Sequence, residues 1–296
     1  MSRKKCISRP RNRNSHPPSR VHSSMRVAMA MVIAGVAAAQ TPDAHEIVRR
    51  SVAAADANWK IARSYTFLER EEERQLDSEG RVKSKEVKTY DITLLEGSPY
   101  LRLLERDDHP LAPAEEKKER EKLEKSIAER QKETPAQRQR RIDDYEKRRQ
   151  RQRETMREVA EAFDFRVAGQ DRIDGRDVWI LDAVPRRGYN PRSRDAKILP
   201  HVCGKLWIDK VAYDWVKLEA EVIDTVSWGL FLVRLDRGAH ISFDQTLVNE
   251  EVWLPKHVSI TASARLGVFK KIRVEQDTTF RNFRKFQTDS RLVTAQ

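Results

Sequence analysis

Apolar and polar residues alternate with a period of two over much of this chain, the pattern of strands with one covered and one wet face. It is cleanest in Trp215 to Ser227, where Val216, Leu218, Ala220 and Val222 share one face and Lys217, Glu219 and Glu221 the other. It recurs from His257 to Leu266, with Val258, Ile260, Ala262 and Ala264 opposite Ser259, Thr261, Ser263 and Arg265. Further strands are predicted from Phe163 to Arg172, Asp177 to Val184, Gly204 to Asp209, Leu230 to Gln245, Glu251 to Leu254 and Lys271 to Phe286. Asp174-Gly175, between the first two of these, is hairpin-turn chemistry. No helical pattern separates these strands, which excludes βαβ units and points to an antiparallel sheet.

The first third begins differently. Ile47, Val48, Val52, Ala55 and Trp59 fall mostly on one face of a helix predicted from Asp43 to Ile61, with Thr41 as its cap and Pro42 at its first position. A sheet then starts at Ser64, turns at Asp77-Ser78-Glu79-Gly80, returns from Val82 to Glu96 and continues from Tyr100 to Arg106. From Ala114 to Ala160 the composition changes to Glu, Lys, Arg and Gln with sparse apolar positions, and Thr134-Pro135 divides the segment into two charged helices. This arm reads as a peripheral insertion, held by i,i+4 ion pairs or offered to a partner.

The chain has 296 residues and a formal net charge of +12. Such a charge would suggest nucleic acid had it sat on a folded domain. Instead, Arg3, Lys4, Lys5, Arg9, Arg11, Arg13, Arg20 and Arg26 carry eight of those charges with no acid among them, leaving 12 minus 8, or +4, for the rest. Met25-Arg26, the apolar run Val27 to Val36 and the small residues Ala37-Ala38-Ala39 form a secretory signal peptide, so residues 1–24 read as a misassigned upstream start and the mature chain as residues 40–296 in one domain. The apolar run is too short to span a bilayer, and no transmembrane span is expected elsewhere. Past Cys6, Cys203 is the one remaining cysteine, so no internal disulfide forms. A periplasmic address follows.

No nucleophile elbow, P-loop, dinucleotide glycine pattern or zinc motif occurs, and neither a cofactor, a metal nor an enzyme activity is expected. Asp107-Asp108-His109 is a loop triplet that faces water, and Cys203 two residues from His201 lacks an orienting third group. What remains is shape. A curved antiparallel sheet under an amphipathic helix leaves an apolar groove for a hydrophobic ligand, with Phe67, Tyr90, Ile92, Trp179, Trp207, Val216, Leu218, Ala220, Val222, Ile260 and Ala262 as lining candidates. The same residues also suit packing against the helix, and residue type does not separate the two.

Three stretches, GKLWIDK at Gly204 to Lys210, EVWLPK at Glu251 to Lys256 and FRKF at Phe283 to Phe286, resemble bacterial periplasmic outer-membrane lipoprotein-sorting proteins with a LolA-like fold. The resemblance covers the signal peptide, the first helix and most of the sheet. It implies an α+β fold in which the antiparallel sheet forms a half-open β-barrel closed by helices around a hydrophobic cavity. It also implies a carrier that shields a lipoprotein acyl chain or other lipid. The charged arm exceeds what such carriers need, and the alternative is a non-enzymatic envelope sensor that binds a protein partner through residues 114–160.

Overall fold

A computed structural model of the chain describes residues 43–228, 233–266 and 270–286. The expected signal peptide, the segment before it, and Thr41 and Pro42 lie outside the described residues. Helix α1 (Ala44–Ala62) is capped by Asp43, whose carboxylate accepts from the His45 amide at 3.2 Å. Strands β1 (Tyr65–Leu76) and β2 (Val82–Leu95) form the long hairpin. At its turn the Asp77 carboxylate accepts from the amides of Glu79 and Arg81, both at 2.9 Å, and Gly80 takes φ +85°. Strands β3 (Ser98–Arg106) and β4 (His109–Pro110) complete this side of the sheet.

The charged segment is two helices, α2 (Pro113–Gln131) and α3 (Pro135–Ala162). Thr134 and Gln137 form a reciprocal capping box at the start of α3, where Pro135 needs no hydrogen-bond partner for its nitrogen. Ion pairs four residues apart do occur, as between Lys117 and Glu121 at 3.9 Å. The arm is also tied to the sheet: Arg106 pairs with Glu115 at 2.7 Å, and the Arg141 guanidinium donates to Ser98 Oγ at 2.6 Å. Its last two turns belong to the core, because Ala162 is fully buried and Met156, Val159 and Ala160 pack beside it. Buried Glu158 accepts from the Tyr189 hydroxyl and, at 2.9 Å, from the Arg192 amide.

Strands β5 (Phe163–Ile173) and β6 (Arg176–Pro185) join through Asp174 (φ +48°) and Gly175 (φ +81°), the left-handed pair that the sequence predicts. Then come a 3-10 helix (Asp195–His201) and strands β7 (Val202–Asp209), β8 (Trp215–Val222), β9 (Val226–Trp228), β10 (Val233–Leu235), β11 (His240–Val248), β12 (Val252–Leu266) and β13 (Lys270–Lys285). All strand pairs are antiparallel, and the hydrogen-bonded order runs β4-β3-β2-β1-β13-β12-β11-β8-β7-β6-β5, with β9 and β10 as a side branch on β12. Among the described residues β4 and β5 remain edges, so the sheet is open and the fold is α+β.

Four predicted strands differ. Trp215 to Ser227 divides into β8 and β9, because the Val222 amide turns to Ala239 O and the Ile223 amide to His201 O, each at 2.8 Å. Leu230 to Gln245 divides into β10 and β11 at a turn where Gly238 takes φ +86°. Glu251 to Leu254 and His257 to Leu266 are instead parts of one strand, β12. The ladder shifts between Asp244 opposite His257 and Gln245 opposite Pro255, so Lys256 is bulged and the proline sits beside the irregularity.

One face of the sheet carries α1. Ala44, Ile47, Val48 and Ser51 are its buried positions, and they meet Phe163, Phe165, Leu181, Leu206, Ile208 and Trp215 in the main core. Trp215 Nε1 donates to Ser51 Oγ at 2.9 Å, and Ser51 Oγ donates to Val48 O at 2.8 Å, which satisfies both polar groups without water. Further along, Asn58 clips the helix to β12. Its Nδ2 donates to Trp253 O at 2.8 Å, and its Oδ1 accepts from Trp253 N at 2.7 Å.

Candidate functional site

These two anchors hold α1 at Ser51 and Asn58, and between and beyond them its apolar stripe is left half-covered. Val52, Ala55 and Trp59 are half-buried, and they face a cavity of about 540 Å³ rather than packed side chains. The sheet supplies the floor with Phe67 of β1, Phe243 of β11, Leu254 and Val258 of β12 and Phe280 of β13. Phe67 and Phe280 meet edge to face with ring centres 5.4 Å apart. Helix α3 supplies the roof through Arg149, Gln152, Arg153, Met156 and Arg157. The volume lies within the ~300–1,000 Å³ usual for small-molecule sites.

A second cavity of about 220 Å³ lies beside it, with Trp215 in both walls. Its lining is apolar: Val159, Phe163, Phe165, Ile198, Leu206, Leu218, Ala220 and Ile241 among others. Gly204 is in the same wall, and a Cβ there would stand 2.2 Å from Glu219 O, so β7 and β8 approach as they do because this residue has no side chain. Buried Cys203 is the second residue of β7 and belongs to this apolar wall, and half-buried His201 ends the 3-10 helix just before the strand.

The large cavity also holds carboxylates. Glu69 is pushed up to about 7, first by burial and then by the neighbouring Glu71 carboxylate. Asp214 is pushed up to about 6 by burial and by Asp209. Asp56 at the rim is paired with Arg157 at 2.7 Å. Overhead, the Arg149 guanidinium carbon lies 3.7 Å from the Trp59 ring centre, and burial lowers the proton affinity of that arginine. The arrangement is an apolar trough with acids held toward their neutral form and cations at the roof. It suits holding a molecule, and among the described residues no nucleophile with an adjacent base stands in it.

The predicted lining residues divide. Phe67 lines the large cavity, and Ile92, its direct cross-strand partner, shares its face without reaching either cavity wall. Leu218 and Ala220 line the small one. Tyr90 faces a separate open depression against α2 with Tyr100, Leu103 and Lys122. Trp179 and Val222 are buried in the main core, Trp179 against the Tyr213 ring at 5.3 Å. Ile260 is half-buried between Ile241 and Gln276, and Ala262 packs against the main core. Trp207 and Val216 lie in a different cluster with Val178 and Trp253. Val216 is there because β8 bulges: Trp207 faces Lys217 but Ile208 faces Trp215, so Val216 is the extra residue and drops out of the face shared by Leu218 and Ala220.

Trp59, Phe243, Phe280, Arg149 and Arg153 are cavity residues that the alternation does not single out. A signal existed for Trp59, since the stripe of α1 continues a full turn past the residues that the core needs. The Asp107-Asp108-His109 triplet is a turn with its groups engaged: Asp108 pairs with Arg70 at 2.6 Å, and the His109 ring meets Asp107 O at 2.6 Å. His257 bridges Asp277 at 2.7 Å and Asp244 at 3.5 Å across three strands. Among the described residues no group of three or more His, Cys, Asp or Glu is disposed to hold a metal.

No protein-family model and no curated protein sequence matches the chain. Among solved structures it is similar to a domain named for outer membrane lipoprotein sorting from Vibrio parahaemolyticus, at 10% identity over 83% of this chain and 95% of the other, with a TM-score of 0.35. It is similar to a LolA superfamily protein from Nitrosomonas europaea at 8% identity over 83% and 94%, TM-score 0.31. It is also similar to the MucA/MucB complex structure of Pseudomonas aeruginosa at 12% identity over 83% and 100%, TM-score 0.24. At these scores the likeness carries no argument.

Proposed function

We propose that this chain is a carrier of the bacterial periplasm that shelters an acyl chain, or a hydrophobic tail of similar size, between α1, α3 and the sheet. The observation that carries this is the large cavity: an amphipathic helix is clipped at Ser51 and Asn58 so that Val52, Ala55 and Trp59 face open space lined by aromatic side chains. Burying roughly ten methylenes there gains about 8 kcal/mol, enough to hold a tail and still release it. The Met25–Ala39 pattern supports export, and among the described residues no helix is long and apolar enough to cross a membrane. Binding without covalent chemistry is the activity assigned.

The test is fluorescent fatty-acid binding with Ala55→Trp beside the native chain. Ala55 faces the cavity, so an indole there occupies the space of the tail while the helix and its two anchors remain. Binding in the native chain and its loss in a variant with an unchanged unfolding transition is the expected result. Full binding by the folded variant would place the ligand elsewhere. A protein captured through residues 114–160, with no lipid bound, would favour the docking alternative.

A further inference from the structure

Two arginines in the cavity roof are left without a counter-charge. Arg149 and Arg153 stand four residues apart on α3 and so project from one face. Their guanidinium carbons lie 3.7 and 6.0 Å from the centre of the Trp59 ring. Among the described residues neither makes an ion pair. Arg149 Nη1 donates only a long hydrogen bond of 3.4 Å to Gln152 Oε1, and Arg153 Nε is buried with no hydrogen-bond partner. Other arginines of the same helix are paired, Arg141 with Glu133 at 2.6 Å and Arg157 with Asp56 at 2.7 Å. A half-buried guanidinium without an anion is costly, and two side by side also repel.

The cavity's own acids do not supply the missing charge. Asp56 is taken by Arg157. Glu69 and Asp214 line the same cavity, but among the described residues neither makes an ion pair or hydrogen bond with Arg149 or Arg153.

We propose that the occupant is a single-chain amphiphile with an anionic head, its tail in the trough beneath Trp59 and its carboxylate or phosphate oxygens on Arg149 and Arg153. This rests on the cavity as the binding site and names the class of molecule it takes. Planar guanidinium groups present paired N–H donors that match either oxyanion, and stacking on Trp59 holds the Arg149 plane in place.

The experiment compares dodecanoate, dodecyl phosphate and dodecan-1-ol by calorimetry below their micelle concentrations, on the native chain and on the Arg149→Gln/Arg153→Gln double variant. In the native chain at least one of the anions binds about 10–100-fold tighter than the alcohol, the worth of one charge-assisted hydrogen bond or slightly more. Which anion gains more identifies the head. In the double variant the ratio of anion to alcohol affinity falls to near one, the alcohol serving as the reference for whatever the substitutions change in the cavity roof itself. An Arg149→Lys/Arg153→Lys variant, followed by its unfolding transition, retains the charge and part of the preference. Equal binding of anions and alcohol by the native chain would overturn the headgroup assignment and leave the cavity standing. A preference that survives in the folded Gln variant would overturn the role of these arginines, and failure of all three ligands to bind would overturn the cavity itself.

Discussion

Glu69→Gln should stabilise this protein at alkaline pH and flatten its pH dependence. In the folded chain Glu69 titrates near 7 against an ordinary value of 4.5, because burial beside the cavity and the Glu71 carboxylate both oppose ionisation. The folded state therefore holds a proton that the unfolded chain has released between those two values, and stability falls as pH rises through that window. The full shift corresponds to about 3 kcal/mol, and water in an open cavity reduces this to on the order of 1–2 kcal/mol. Asp214, raised to about 6, acts in the same direction slightly lower on the scale. Carboxylates held low, such as Asp209 beside Arg176 and Glu72 beside Arg70, lose their contribution only as pH falls below the ordinary carboxylate range. Gln keeps the shape of Glu69 without a charge, so at pH 8 the variant should melt about 3–6 °C higher, while near pH 5 the two proteins converge. Thermal unfolding at matched ionic strength from pH 4.5 to 8 measures this. An equal fall in stability for both proteins between pH 5 and 8 would refute the reasoning.

Three further outcomes follow from the packing. Ala220→Leu should fill part of the small apolar cavity and stabilise by about 1 kcal/mol, whereas Ala220→Glu buries an unpaired carboxylate and costs several kcal/mol, both read by chemical denaturation. Gly204→Ala should destabilise by about 3 kcal/mol in the same assay, because the new Cβ meets Glu219 O on the neighbouring strand. Replacing residues 114–160 by a short linker removes Val159, Ala160 and the Glu158 carboxylate that Tyr189 and Arg192 bond, so the cooperative transition should weaken or vanish. A shortened protein that melts as sharply as the native chain would show that the end of α3 is dispensable.

Local chemistry was legible in the sequence, and long-range geometry was not. The Asp174-Gly175 turn, the Asp77 turn and the Thr134 cap each depend on a few neighbouring residues whose backbone preferences decide the outcome, and all three stand where the pattern puts them. Bulges carry no such mark. One extra residue in β8 sends Val216 to the opposite face from Leu218, so alternation assigns it to the wrong side. The candidate site suffers most, because a cavity wall is assembled from distant segments. Trp59 of α1, Arg149 of α3 and Phe243 of β11 meet only after the sheet is ordered, and no spacing in the chain records that they share a space. The arm shows the same limit: its composition reads as a solvated face throughout, yet its last two turns close the core.

The most direct test of the carrier account is to cross-link a photoactivatable fatty acid, its diazirine near the middle of the chain, to the exported protein and map the labelled peptides by mass spectrometry. The account predicts labelling on α1 between Val52 and Trp59 and on the strand segments around Phe67, Phe243, Val258 and Phe280, all competed by unlabelled fatty acid. Competable labelling confined to the edge strand β4, the loop at Val211 or the outward side of α2 would contradict it.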